Sequence, residues 1–289
     1  MAKIGVFDSG YGGLTILDAI RKELPQYDYL YLGDNARAPY GTHSFEVIYR
    51  YTLQAVQYLL KQDCALVILA CNTASAKALR TIQQKDLPKI NHQLAISNHQ
   101  SRRVNVLGVI RPTVEAVPDI TKTGHVGVLA TPATVSSESY VLELEKIAPN
   151  LTISQQACPM WVPLIESGEH RHEGAGYFVD LYLREILAKD PQIDTLVLGC
   201  THYPLLLPKI GMWIKNNGKR FAAGDIQVIS QGYLEAKSLA DYLSRHPEYR
   251  EQLSQNGSCT YLTTENADRF SQSASIFLST PIQAEHIDL

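Results

Sequence analysis

The sequence predicts an α/β protein made of two similar domains with mostly parallel sheets, and three observations carry that expectation. Short apolar runs alternate with amphipathic helical stretches, and no block consists of strands alone. The run from Cys64 to Cys71 is apolar and partly β-branched, which suits a strand buried on both faces of a parallel sheet. That design then recurs. Ile193 to Pro204 reads IDTLVLGCTHYP, a second apolar strand ending in a cysteine, and VGVLATP from Val126 echoes IGVFDSG from Ile4. The two cysteines are offset by 129 positions (200 − 71) and the two strand starts by 122 (126 − 4), as a duplicated unit would be.

Lys3 to Phe7 reads as the first strand, with the turn Asp8 to Ile16 and a helix over Leu14 to Glu23 behind it. Glycines 10, 12 and 13 let backbone N–H groups approach a small anion, though the spacing is neither GxGxxG nor a phosphate loop. Tyr27 to Asp34 alternates as a second strand. Asn35 to Ser44 is a loop with Thr42 or Ser44 as the next helix cap, and Pro39-Tyr40-Gly41 there is a candidate substrate wall. The helix to Gln62 puts Phe45, Ile48, Val56 and Leu59 on one face. Behind Cys71 comes a helix, then a polar stretch, 86–103, of little periodicity, with His92 and His99 at the surface.

VNVLGVIRPT reads as a strand followed by a proline-broken crossover between domains. The second unit follows: a strand in HVGVLAT, a helix around Glu138 to Ile147, strand-like LTISQQACP, an irregular segment carrying Glu166, and a helix from Gly176 to Lys189. His170 and His172 form an HxH pair without further ligands, expected in a solvated loop rather than at a metal. Pro204 and Pro208 fall in the first turns of the helix after Cys200. The chain is expected to return to the first domain from residue 223, with a strand and a helix through Leu243, and the tail to form a short helix and a strand. The expected domains are therefore 1–110 with 223–289, and 111–222.

With 289 residues the chain can build two ordinary domains. Its 45% hydrophobic and 19% charged content is that of a soluble globular protein, and a net charge of −3 argues against a nucleic-acid binder. No run approaches the roughly 18 apolar residues of a membrane span, and the strand-like N-terminus lacks a signal-peptide core, so the expected compartment is the cytoplasm. Five widely spaced cysteines without any CxxC fit neither a disulfide framework nor a zinc ribbon. Cys64, Cys158 and Cys259 read as structural. Cys71 and Cys200 differ, because each stands where a buried strand meets a polar turn.

Ligands bind outside the carboxyl ends of strands in open α/β sheets, so these two thiols could face one small molecule from opposite sides. One thiolate would take a proton from carbon while the other thiol returns one to the opposite face, which is the chemistry of a racemase or epimerase. A free cysteine is only slightly ionised at neutral pH, and Asp8 and His202 are the candidates to take or hold its proton. Asn72, Thr73 and backbone donors near the glycines could stabilise a carboxylate and its developing enolate. A hydrolase using Cys200 with His202 as base is a rival. Residues two apart are expected to project badly for that pairing, and the second thiol and Asp8 would then be idle.

The motifs FDSGYGGLT at Phe7, NARAPYGTHS at Asn35, ACNTAS at Ala70, QACPMWVPLIESGE at Gln156 and LGCTHYPLL at Leu198 resemble those of the glutamate racemases, cofactor-independent enzymes of the aspartate/glutamate racemase superfamily. The resemblance implies two α/β domains related by a pseudo-two-fold axis with the active site in the cleft between them. It implies glutamate as substrate, D-glutamate for peptidoglycan synthesis as product, no pyridoxal phosphate or metal, and a homodimer. Its catalytic thiols fall on Cys71 and Cys200, its assisting groups on Asp8 and His202, and a nearby acid on Glu166. Its substrate contacts fall on Asp8, Ser9, Tyr40, Gly41, Asn72, Thr73, Thr201 and His202. Tyr11, where a small aliphatic residue is usual, and the 86–103 insertion depart from the pattern. A sister racemase acting on aspartate or a hydantoin, and a non-catalytic amino-acid-binding protein, are the alternatives.

Overall fold

The computed structural model describes residues 1–97, 103–221, 225–278 and 280–289. Its strands, numbered in chain order, form two sheets, and every pairing within them is parallel. The first holds β1 (Lys3–Asp8), β2 (Tyr29–Gly33), β3 (Cys64–Leu69), β4 (Asn105–Gly108), β9 (Cys259–Thr263) and β10 (Ala284–His286), in the order β10-β9-β2-β1-β3-β4. The second holds β5 (His125–Ala130), β6 (Thr152–Ala157), β7 (Thr195–Gly199) and β8 (Gln227–Ile229), in the order β6-β5-β7-β8. Without β9 and β10 the two orders coincide. The duplication legible in the strand sequences is thus also a duplication of topology, and in each sheet the order reverses between the first and third strands of the unit, where a crevice opens.

Burial explains why these runs are strands. All six residues of β3 and all five of β2 and β7 are buried. Tyr29 and Tyr31 pack with Leu14 and Leu17 of the helix Gly13–Glu23 and Leu239 of the helix Gln231–Arg245. Leu30 and Leu32 pack on the other face with Ile48, Val56 and Leu59 of the helix Phe45–Lys61. The tyrosines that look like the polar half of an alternation in β2 are therefore core, because helices cover both faces. Each fully buried aliphatic side chain contributes about 1.5–3 kcal/mol, so the double cover is the main stabilisation of the sheet. Ser44 caps the helix Phe45–Lys61 by accepting from the Val47 N–H. Phe45, expected on its buried face, is exposed and stacks on Tyr49 one turn on.

Several expectations need correction. The 86–103 stretch is not irregular throughout: a helix runs over Leu87–Ser97, with His92 exposed on it, while His99 lies outside the described residues. The crossover after β4 is the helix Ile110–Ile120, not a broken linker. Pro112 sits in its first turn, where an N–H has no helical partner, and Pro118 in its last. Glu166 ends a short helix, Trp161–Glu166, whose Trp161 is fully buried. His170 is buried rather than solvated, and His172 is exposed. The return to the first sheet was expected from 223. Instead β8 hydrogen-bonds to β7, Thr195 opposite Gln227, and the first sheet is rejoined only at β9. Short apolar runs look alike from sequence, and the sheet that β8 joins is decided by which edge is open.

Candidate active site

Parallel pairing brings the strand ends into register. Phe7 of β1 is level with Leu69 of β3, and Ala130 of β5 is level with Gly199 of β7. Asp8 and Ser9 thus stand beside Cys71, and Thr131 beside Cys200. The carboxyl ends of the two sheets share one cavity of about 100 Å³. Asp8, Ser9, Tyr40, Gly41, Cys71, Asn72, Thr73, Glu166, Cys200, Thr201 and His202 all line it. A larger cavity of about 650 Å³ lies elsewhere between the halves and is lined by none of these.

Cys71 is 5% exposed. Its sulfur lies 3.3 Å from the Ser9 hydroxyl and accepts from the Ala74 N–H at 3.4 Å, at the start of the helical turn Asn72–Ala74. Burial, and then the neighbouring Asp8 carboxylate, push this thiol up to about 12. Asp8 is itself buried, which raises its carboxyl above the ordinary range, although the His202 charge and the Gly10 and Gly13 N–H groups oppose the shift. Its Oδ1 accepts from the Gly10 N–H at 2.7 Å and its Oδ2 from the Thr201 hydroxyl at 3.4 Å.

The Cys200 side is built differently. The His202 Nδ1 lies 3.8 Å from the Cys200 sulfur and its Nε2 2.9 Å from the Glu166 carboxylate. Burial alone would lower the imidazole pKa. The bonds to Cys200 and Glu166 outweigh it and push His202 up to about 10, so the ring is an imidazolium at neutral pH and donates from both nitrogens. The sequence expectation that residues two apart would project badly fails here. Cys200 to His202 form a turn between strand and helix, and the turn brings thiol and imidazole together.

At Gly12 the halves approach closely. A Cβ there would stand 2.3 Å from the Thr201 hydroxyl and 2.4 Å from the His202 Nδ1, so no side chain fits without displacing them. Gly41 faces Thr131 of the second half. The Tyr40 hydroxyl donates to the buried Asp34 carboxylate, which Arg37 also holds, so Tyr40 contributes to the cavity through its ring and backbone. Tyr11, the departure from the expected pattern, does not line the cavity. It stacks between Phe270 and Phe277, and Phe277 meets the His202 ring edge-on at 5.4 Å between centroids. The tail thus touches the site through a ring for which the sequence held no chemical signal.

Cys158 and Thr131 are among the wall residues that went unassigned. Cys158, read as structural, is fully buried yet lines the cavity. Thr131 caps the helix Pro132–Ser136 and lies 3.0 Å from the Thr73 hydroxyl. The duplication could have found it, since Thr131 stands at the strand offset from Ser9 (131 − 9 = 122). Among the described residues no cluster of His, Cys, Asp and Glu is arranged to hold a metal ion.

Residues 14–215 match the family model described as Asp/Glu/Hydantoin racemase. The glutamate racemase of Ruegeria sp. (strain TM1040) is 40% identical over 98% of each chain, and that of Streptococcus sanguinis (strain SK36) is 35% identical over 99% of this chain and 98% of its own. Among solved structures, glutamate racemase from Francisella tularensis subsp. tularensis SCHU S4 in complex with D-glutamate superposes with a TM-score of 0.82 at 30% identity, covering 99% of this chain and 97% of that one.

Proposed function

The chain belongs to the Asp/Glu/hydantoin racemase family and sits with its glutamate racemases, and we propose that it interconverts L- and D-glutamate by proton transfer between two thiols, without pyridoxal phosphate or metal. The observation that carries the reading is the pair Cys71 and Cys200. They occupy equivalent strand ends of two duplicated sheets and open on the same small cavity. A reaction that inverts one carbon needs an acid–base group on each of its faces, and a duplicated unit supplies two. Aspartate or hydantoin as substrate is less well supported, because the relatives aligned over nearly the whole chain are glutamate racemases.

In this reading one thiolate removes the Cα proton while the opposite thiol delivers its own to the other face. Asp8 exchanges protons with Cys71, and His202, held by Glu166, does so with Cys200. Asn72, Thr73, Ser9 and Thr201 bind the substrate, with Tyr40 and Gly41 as wall. D-glutamate supplied to peptidoglycan synthesis, a homodimeric state and a cytoplasmic location belong to the same reading and rest on the family resemblance.

Proton NMR in D₂O, with L- and D-glutamate incubated separately and chiral analysis of each, tests it. Loss of the Cα–H signal with appearance of the other enantiomer from both starting points is expected, unchanged by exhaustive chelation. Exchange of aspartate but not glutamate would move the substrate assignment, and silence with both in folded protein would refute racemisation.

A further inference from the structure

We propose that Gln231 and Tyr140 are positioning residues that act through Asn72, fixing its side-chain amide so that an N–H faces the substrate carboxylate. This rests on the substrate contact of Asn72 proposed above. Neither residue lines the cavity. Both are buried behind it, Tyr140 wholly and Gln231 at 2% exposure, and Asn72 itself is 2% exposed.

The three side chains form a closed ring of hydrogen bonds, and one backbone group sets its direction. The Val109 carbonyl can only accept, so the Gln231 amide nitrogen must face it, at 3.1 Å. The Gln231 oxygen therefore faces Asn72, 2.6 Å from its side-chain nitrogen. Two amide oxygens would repel at that distance, so Asn72 is bound to present its nitrogen here and its oxygen on the other side. That oxygen accepts from the Tyr140 hydroxyl at 2.7 Å, and the hydroxyl in turn accepts from the Gln231 nitrogen at 3.0 Å. The Thr113 hydroxyl, which itself donates to the Val109 carbonyl, lies 3.0 Å from the same nitrogen and shares with that carbonyl one of its two hydrogens. An asparagine amide and a tyrosine hydroxyl alone could pair in either sense. Gln231, anchored on a carbonyl, removes the ambiguity.

The consequence lies at the cavity. The Asn72 nitrogen carries two hydrogens and spends one on Gln231, which leaves the second for a ligand oxygen in the cavity that Asn72 lines. Its carbonyl, which would repel a carboxylate, is held away. The ring also spans the duplicated units: Asn72 follows β3, Tyr140 lies in the helix Ser139–Ile147 over the second sheet, and Gln231 opens the helix Gln231–Arg245. The donor for the carboxylate is thus oriented by groups from both halves.

The test is a mutant cycle in the full-length protein with Gln231→Met, Asn72→Ala and their double variant, measuring kcat and KM in both directions together with Tm. The substrate carboxylate is anionic when it binds and gains further charge as the Cα proton leaves, so Gln231→Met is expected to lower kcat about tenfold and to raise KM by a smaller factor, by leaving a buried polar group mispaired. In the Asn72→Ala background the same substitution should change kcat by less than about twofold, because residues acting as one unit are not additive. Losses that multiply, or an unchanged kcat in Gln231→Met, would overturn the positioning role. Should Gln231→Met not fold, Tyr140→Phe, which removes one hydroxyl, is expected to show a smaller kcat loss that likewise vanishes in the Asn72→Ala background. Full activity in Asn72→Ala itself would instead remove the substrate contact beneath the proposal, and with it the proposal.

Discussion

Cys71 and Cys200 hold the same post in two copies of one fold and keep different company. Cys71 has a hydroxyl, a helix N–H and a buried carboxyl around it, and burial drives its thiol to about 12. Cys200 faces an imidazolium that is anchored by Glu166. The difference sits at equivalent positions, since His202 occupies in the second unit the place of Thr73 in the first (202 − 73 = 129), while Asp8 corresponds to Ala130 (130 − 8 = 122). Backbone duplication sets one thiol at each of two equivalent strand ends. Divergent side chains place a buried carboxyl near the first and an imidazole beside the second.

Removing either thiol tests the comparison most severely. Cys71→Ala and Cys200→Ala are each expected to lower racemisation by about 10²–10⁴-fold, the usual loss of an acid–base group. Each variant should still wash solvent deuterium into one enantiomer, and the enantiomer should differ between the two. Activity within about tenfold of the parent in either would break the two-thiol mechanism. The proton stores come next. His202→Asn should slow deuterium wash-in by about 10²-fold for the enantiomer served by Cys200, and Asp8→Asn for the other. Equal slowing of both enantiomers by each variant would show that the two sides are not separately supplied.

Gly12→Ala probes the contact between the halves. Its methyl must displace Thr201 and His202, so kcat/KM should fall about tenfold with a stability loss of about 1–3 kcal/mol, read by assay and denaturant melts. A parent-like enzyme would mean that the halves part easily at this point. A last effect concerns pH. His202 holds its proton to about 10 in the fold against 6.5 when free, so the stability it contributes is complete below pH 6.5 and is lost as pH rises through 10. The Tm should fall over that interval more steeply in the parent than in His202→Asn, with Cys200, Glu166 and Asp8 still facing the site. Parallel curves would remove the imidazolium from the account.

Much of this was legible in the sequence. An apolar, partly β-branched run that ends in a cysteine and a polar turn suits a buried strand delivering that cysteine to a sheet edge. Its recurrence at matching offsets announced the duplication, and both are local patterns carried by consecutive residues. Other features were out of reach for a physical reason: they depend on which distant segments meet. The membership of β8 in the second sheet is decided by an open edge, and the burial of Tyr29 and Tyr31 by helices far along the chain. The thiol–imidazole contact of Cys200 and His202 depends on the shape of one turn, and the edge contact of Phe277 on where the tail packs. The charge of His202 and the direction of the Asn72 amide are set by Glu166, Gln231 and Tyr140, none of them a sequence neighbour. Sequence alone determined that two thiols would stand at two strand ends. Tertiary packing decided what surrounds each of them, because proton affinity and amide orientation follow from neighbours in space.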